Sequence, residues 1–261
     1  MESVEKLTHI EHILKRPDSY VGPVDQSSEL YWILDGASFK KRNIKYSPAL
    51  LKIFDEILVN ATDRNSIHPK GVSSISVNVD SDTGMITIEN NGPLGGIGIR
   101  MHEKEGLWNP ELVFGHLLTS TNYDDTKKRV VGGRNGYGAK LTNIYSSKFS
   151  IVIKDHETKT TYTQGWSSNM TVCDPPKIKK HSGASSSVAV TFLPDWKRFG
   201  MTEMNKEIYK IMEKRVWDTN ICTSPNCKVK FNDEVLPKQS FEAYAKMHEG
   251  VVHTHCVTTD R

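Results

Sequence analysis

The chain has 261 residues, long enough to bury a core without disulfide staples. With 37% hydrophobic and 25% charged residues, and no apolar run near the ~18 needed to cross a bilayer, it reads as a globular chain that does not span a membrane. A formal net charge of +3, from 34 basic and 31 acidic residues, is too small to point to nucleic acid by itself.

The opening MESVEKLTHIEHILKRPDSYVG mixes charges of both signs and does not read as a secretory signal. It shows no clear period and is punctuated by Pro17 and Gly22. Residues 1–25 therefore read as an irregular strap rather than a core element, ahead of one domain over 26–261. The strongest helix signal follows in SPALLKIFDEILVNATDR, with Ser47 as N-cap, Pro48 at the first helical position, and Leu50, Phe54, Ile57 and Ala61 at helical spacing. VSSISVNVD and MITIEN alternate around the turn signal SDTG, which predicts a β-hairpin. Asn109 and Pro110 open a second helix through ELVFGHLLTS, the polar loop TNYDDTKKR intervenes, and VVGGRNGYGAKLTNIYS runs into a third helix. Strand-like runs at FSIVIKD, TKTTYTQGW and SVAVTFLPD precede a helix around EMNKEIYKIMEKRVWD, then CKVKFNDEVL and a short helix at SFEAYAKM. Strands with antiparallel-looking neighbours and helices in separate blocks give an α+β class, a sheet covered on one face by helices.

Three segments carry residue types suited to phosphate chemistry. On the first strong helix, Glu56, Asn60 and Asp63 fall at i, i+4 and i+7, a polar stripe beside the apolar one. Glu56 suits a general base and Asn60 a single oxygen ligand to Mg²⁺, while a solvated helix face is the plainer meaning. After the hairpin, ENNGPLGGIGI replaces apolar alternation with amides and glycines; Asn90 suits an exocyclic amine, and an ordinary turn is the competing meaning. GGRNGYGAK can aim backbone N–H groups at phosphates, with Lys140 adding charge, although it matches neither the P-loop nor the dinucleotide fingerprint and could equally be a linker. Four cysteines read as free thiols, and a zinc site from Cys222, Cys227, His253, His255 and Cys256 fits only loosely.

Taken in order, the Glu56/Asn60 helix, the Asn-Asn-Gly after a strand and GGRNGYGAK before a helix resemble the GHKL ATPases. The strings HILKRPDSYVG, LLKIFDEILVNATD, FGHLLTSTNYDD and VVGGRNGYGAKLTNIYSSKF resemble the eukaryotic-type type II DNA topoisomerase branch. The resemblance implies the GHKL (Bergerat) two-layer sandwich and ATP with Mg²⁺ as cofactors. It implies Glu56 as general base, Asn60 at metal and nucleotide, and Asn90 at adenine. It places Ser120, Thr121 and Asn122 near ribose and phosphates, and Gly133, Arg134, Asn135, Gly136, Tyr137, Gly138, Ala139 and Lys140 in the phosphate loop. Thr191 resembles a threonine deep in the pocket.

NNGPLGGIGI departs from the family pattern by about two extra residues, leaving open whether Gly95 or Gly96 takes the second glycine position. The family's transducer, Toprim and DNA-cleavage domains have no counterpart in these residues, which implies weak or absent turnover by this chain alone. The resemblance further implies a homodimer and contact with DNA in the full-length enzyme, an isolated domain compatible with a monomer when no nucleotide is bound, an arm that crosses to the partner subunit, and a nuclear compartment for a cellular form, with a viral or organellar origin as the alternatives.

Overall fold

The computed structural model describes residues 6–119, 136–251 and 254. Strands β3 (Ser74–Val79), β4 (Ile86–Gly92), β5 (Ser146–Asp155), β6 (Thr160–Ser167), β7 (Val172–Cys173), β8 (Lys177–Lys180), β9 (Ser186–Pro194), β10 (Lys228–Phe231) and β11 (Glu234–Val235) form one sheet. Its order is β11-β10-β3-β4-β9-β5-β6-β7, with β8 also on β6, and every pairing is antiparallel except β10 with β3. The period-2 pattern read from the sequence decides the faces. Ile75, Val77, Ile88, Ile151, Ile153, Val190 and Phe192 turn inward into one core, while their alternating neighbours lie on the opposite face.

Helices α2 (Pro48–Ile67), α4 (Gly138–Ile144) and α5 (Lys206–Cys222) cover the inward face, joined by α3 (Asn109–Gly115). In α2 the Ser47 hydroxyl accepts from Leu50 N, and Leu50, Phe54, Ile57 and Ala61 are buried as their spacing requires. The Arg215 guanidinium of α5 holds Asp55 of α2 through Nε at 2.9 Å.

Three differences from the sequence reading have local causes. Residues 9–15 are a helix, α1 (His9–Lys15), closed by a capping box between Thr8 and Glu11; Ile13 and Val21 belong to the main core, so this stretch is not merely an irregular strap. Residues 27–46 are a hairpin of β1 (Ser27–Asp35) and β2 (Ser38–Tyr46), turning on Gly36 at φ 66°. The second helix ends at Gly115 rather than running on: a β-carbon there would meet the Trp166 ring at 2.8 Å, and the Thr119 hydroxyl reaches back to the Leu112 carbonyl at 2.7 Å.

β2 and α5 also meet α6 (Phe241–Lys246) around a small second cluster of Phe39, Trp217 and Tyr244. No helix among the described residues is long and apolar enough to cross a membrane.

Candidate functional site

A cleft of about 660 Å³ opens between α2, the end of β4 and the start of α4. It brings together Glu56, Asn60 and Asp63 from one helix, Asn90 from a strand, and residues 136–140 from a segment some eighty positions beyond the helix. The size lies within the range of small-molecule sites. Ile57, Ile88, Val188 and Val190 supply its apolar wall.

Glu56 is fixed from two sides. Its Oε1 lies 2.5 Å from Lys52 Nζ, one helical turn earlier. Its Oε2 faces Gly138, where a β-carbon would overlap the carboxylate. Glycine is therefore required at the first residue of α4 if the carboxylate is to stay in the cleft. The Thr142 hydroxyl clamps the same two helices by donating to Ile53 O at 2.8 Å.

Asn90 is 7% exposed and donates its amide nitrogen to the Gly95 carbonyl, which leaves Oδ1 oriented as an acceptor. The loop after β4 is pinned by Arg64, whose Nε donates to Leu94 O (2.7 Å) and whose second nitrogen donates to Gly96 O (2.8 Å). Gly95 lines the cleft, whereas a β-carbon at Gly96 would come within 2.7 Å of Ser186 Cβ and one at Gly95 within 2.8 Å of the Asn91 backbone, so both positions are closed to larger residues. Of the two glycines, Gly95 is the one among the residues that line the cleft.

Lys140 is 3% exposed and spends its ammonium on backbone, donating to Thr119 O at 2.7 Å and Gly136 O at 2.5 Å. Burial pushes this ammonium down to about 8. Lys140 thus ties Thr119 to Gly136 at the cleft rim. Ser120, Thr121, Asn122, Gly133, Arg134 and Asn135 lie outside the described residues; Gly136, Tyr137, Gly138, Ala139 and Lys140 all line the cleft.

Thr191 does not reach the cleft. It alternates with Val188 and Val190, which do, so its hydroxyl sits on the opposite face of the sheet, 2.9 Å from that of Thr87. Sequence reasoning did not single out Lys52 and Arg64, whose signals were helical spacing from Glu56 and Asn60. It also passed over Ser19 and Tyr20, which join the cleft from the first twenty residues, with the Tyr20 ring 6.2 Å from that of Tyr137. Among the described residues no group of three or more potential ligands is arranged to hold a metal. His253, His255 and Cys256 lie outside the described residues.

No protein-family profile matches the chain. It is 42% identical over 249 residues to DNA topoisomerase 2 of Saccharomyces cerevisiae, an alignment covering 95% of this chain and 17% of the relative. The crystal structure of the ATPase region of S. cerevisiae topoisomerase II superimposes with a TM-score of 0.89 at 43% identity, over 94% of this chain and 64% of that one. The ATPase and transducer domains of DNA topoisomerase II from Balamuthia mandrillaris give 0.88 at 41% identity, over 94% and 63%. The chain therefore spans under a fifth of the curated relative's length and about two thirds of the solved ATPase-region chains.

Proposed function

This chain is homologous to the ATPase region of eukaryotic DNA topoisomerase 2, and from that premise we propose that its cleft binds Mg·ATP and hydrolyses it within a type II DNA topoisomerase. The observation that carries the reading is the convergence of Glu56, Asn60, Asn90 and residues 136–140 on one cavity.

The residues fit such a ligand. The wall of Ile57, Ile88, Val188 and Val190 suits a purine face, and Asn90 Oδ1 accepts from the exocyclic amine at the buried end. The turn at Gly136, with φ 65°, and the glycine start of α4 let backbone approach the triphosphate without a side chain in the way. Asn60 offers one amide oxygen to Mg²⁺, which would neutralise phosphate charge and takes the rest of its shell from water and phosphate. Glu56, held between Lys52 and Gly138, orients the attacking water and accepts its proton. Lys140, already engaged with two carbonyls, shapes the loop before it contributes charge.

In the full-length enzyme, nucleotide binding closes a dimer gate by population shift and drives passage of one DNA duplex through another. Residues 1–25 act as the arm that links this state to the partner subunit. In the structure the described part of that arm packs on its own chain, with Tyr145 Oη donating to Ile13 O at 2.8 Å, and it places Ser19 and Tyr20 at the cleft. A chain that binds nucleotide without ever turning it over is the weaker reading, because a carboxylate held in the cleft has no use in binding a polyanion.

The test is titration of the chain with a fluorescent ATP analogue, with and without Mg²⁺. Mg²⁺-dependent saturable binding, weakened about tenfold or more in N60A, is expected. Absence of nucleotide binding at millimolar analogue would sink the reading.

A further inference from the structure

The face of the sheet turned away from the helices carries a cluster of positive charge at one end. Strand register places Lys154 of β5 opposite Thr161 of β6, and Thr161 opposite Lys179 of β8; one step along, Thr163 of β6 stands opposite Lys177. Lys154, Lys177 and Lys179 alternate with inward-facing neighbours, so all three ammonium groups project from the same side, across two strand gaps of roughly 9.5 Å in total. All three are exposed. Among the described residues none of them is in an ion pair, and the nearby Glu157 is taken by Arg100 at 3.4 Å. Lys159 and Lys180 flank the cluster, with both residues exposed at the turn and strand end. Among the described strand residues of this face Glu89 is the carboxylate, four strands away from the β8 edge, and the Asp174 carboxylate lies against Gly165, one position beyond Thr163 on the same face.

A second basic surface differs in this respect. On β2, Lys40 and Arg42 are both paired with Asp35, at 3.3 and 3.0 Å, and Lys41 lies over the Trp32 ring. Each of these cations is held by a partner on the same hairpin.

We propose that the Lys154–Lys177–Lys179 face is a docking surface for the phosphate backbone of a nucleic-acid duplex. Uncompensated ammonium groups interleaved with the hydroxyls of Thr161 and Thr163 supply the two donor types that bind phosphate oxygens without reading bases. An acidic peptide added as a further strand on β8 would meet Lys177 and Lys179 at the edge but would leave Lys154, two strands in, out of reach. A rod-shaped polyanion lying across the strands engages all three. The surface is separate from the ATP cleft, since its residues face the other side of the sheet.

The experiment is an anisotropy titration of a labelled 20-base-pair duplex with the whole 261-residue chain at several salt concentrations, without nucleotide. The triple variant K154Q/K177Q/K179Q is expected to lose about tenfold or more in affinity at low salt, and its log K against log salt slope should flatten by roughly 2 to 3. Its melting temperature and ATP-analogue affinity should stay those of the parent. The variant K40Q/K41Q should bind duplex as the parent does. An unchanged affinity and salt slope in the triple variant, an equal loss in K40Q/K41Q, or displacement of the duplex by poly-glutamate at matched charge would each overturn the proposal.

Discussion

The carboxylate of Glu56 and the α-carbon of Gly138 are in direct apposition, with no room for a β-carbon between them. One residue belongs to a twenty-residue helix and the other to the first turn of a seven-residue helix eighty positions later. Their contact joins the proposed base to the start of α4, where the proposed triphosphate site lies. Substituting G138A must displace either the Glu56 carboxylate or α4, at a cost of about 1–3 kcal/mol in stability. Hydrolysis by a longer enzyme carrying G138A should fall by more than tenfold. Retained hydrolysis together with an unshifted denaturation midpoint would show that the apposition is not tight.

E56Q keeps the size of the side chain but removes its basicity. In an enzyme that includes the domains beyond this chain, hydrolysis should drop by ~10²–10⁴, while nucleotide affinity changes by no more than about threefold. Steady-state turnover and analogue titration on the same preparation separate the two effects. Turnover equal to the parent's would remove Glu56 from the role of base.

Lys140 makes a prediction about pH. Its folded-state proton affinity is depressed to about 8 from 10.5, so between those values the unfolded chain binds the proton that the native chain releases. Stability should therefore rise with pH across that window, by up to ~1.4 kcal/mol per pH unit from this group, with no contribution of this kind below pH 8. Urea melts from pH 7 to 10.5 should show the rise in the parent and its loss in K140M. Parallel curves for the two proteins would mean that the ammonium is not held in a dry environment.

Asp55 and Arg215 hold α2 to α5. Burial pushes the Asp55 carboxyl up and the guanidinium opposes that shift. Arg215 also reaches Asp218, whose other oxygen accepts from Lys214 Nζ at 2.5 Å and from the Tyr244 hydroxyl. R215M would leave Asp55 buried without its partner and should destabilise the chain by about 2–3 kcal/mol, less than for a fully buried pair because the side chains keep some solvent contact. Adding D55N should recover part of that loss. A double-mutant cycle by chemical denaturation measures the coupling, and additive single and double variants would deny it.

The sequence by itself determined the elements whose information is local. The period of 3.6 with Ser47 and Pro48 at its start gave α2, the period of 2 around SDTG gave the β3–β4 hairpin, and the polar stripe of Glu56, Asn60 and Asp63 followed from helix geometry. The capping box of Thr8 and Glu11 and the Asp35-Gly36 turn were also written there, but short elements with mixed charge give weak periodicity, and only their packing makes α1 and β1–β2 visible. Tertiary structure decided which polar residues share a cavity, because that depends on strand order and register between positions far apart in the chain. It set Asn90 in the cleft and turned Thr191 to the other side of the same sheet, a difference of side-chain parity that no local pattern around Thr191 could assign to one face. It also committed the Lys140 ammonium to two backbone carbonyls, since a buried charge must take whatever acceptors the fold brings within reach.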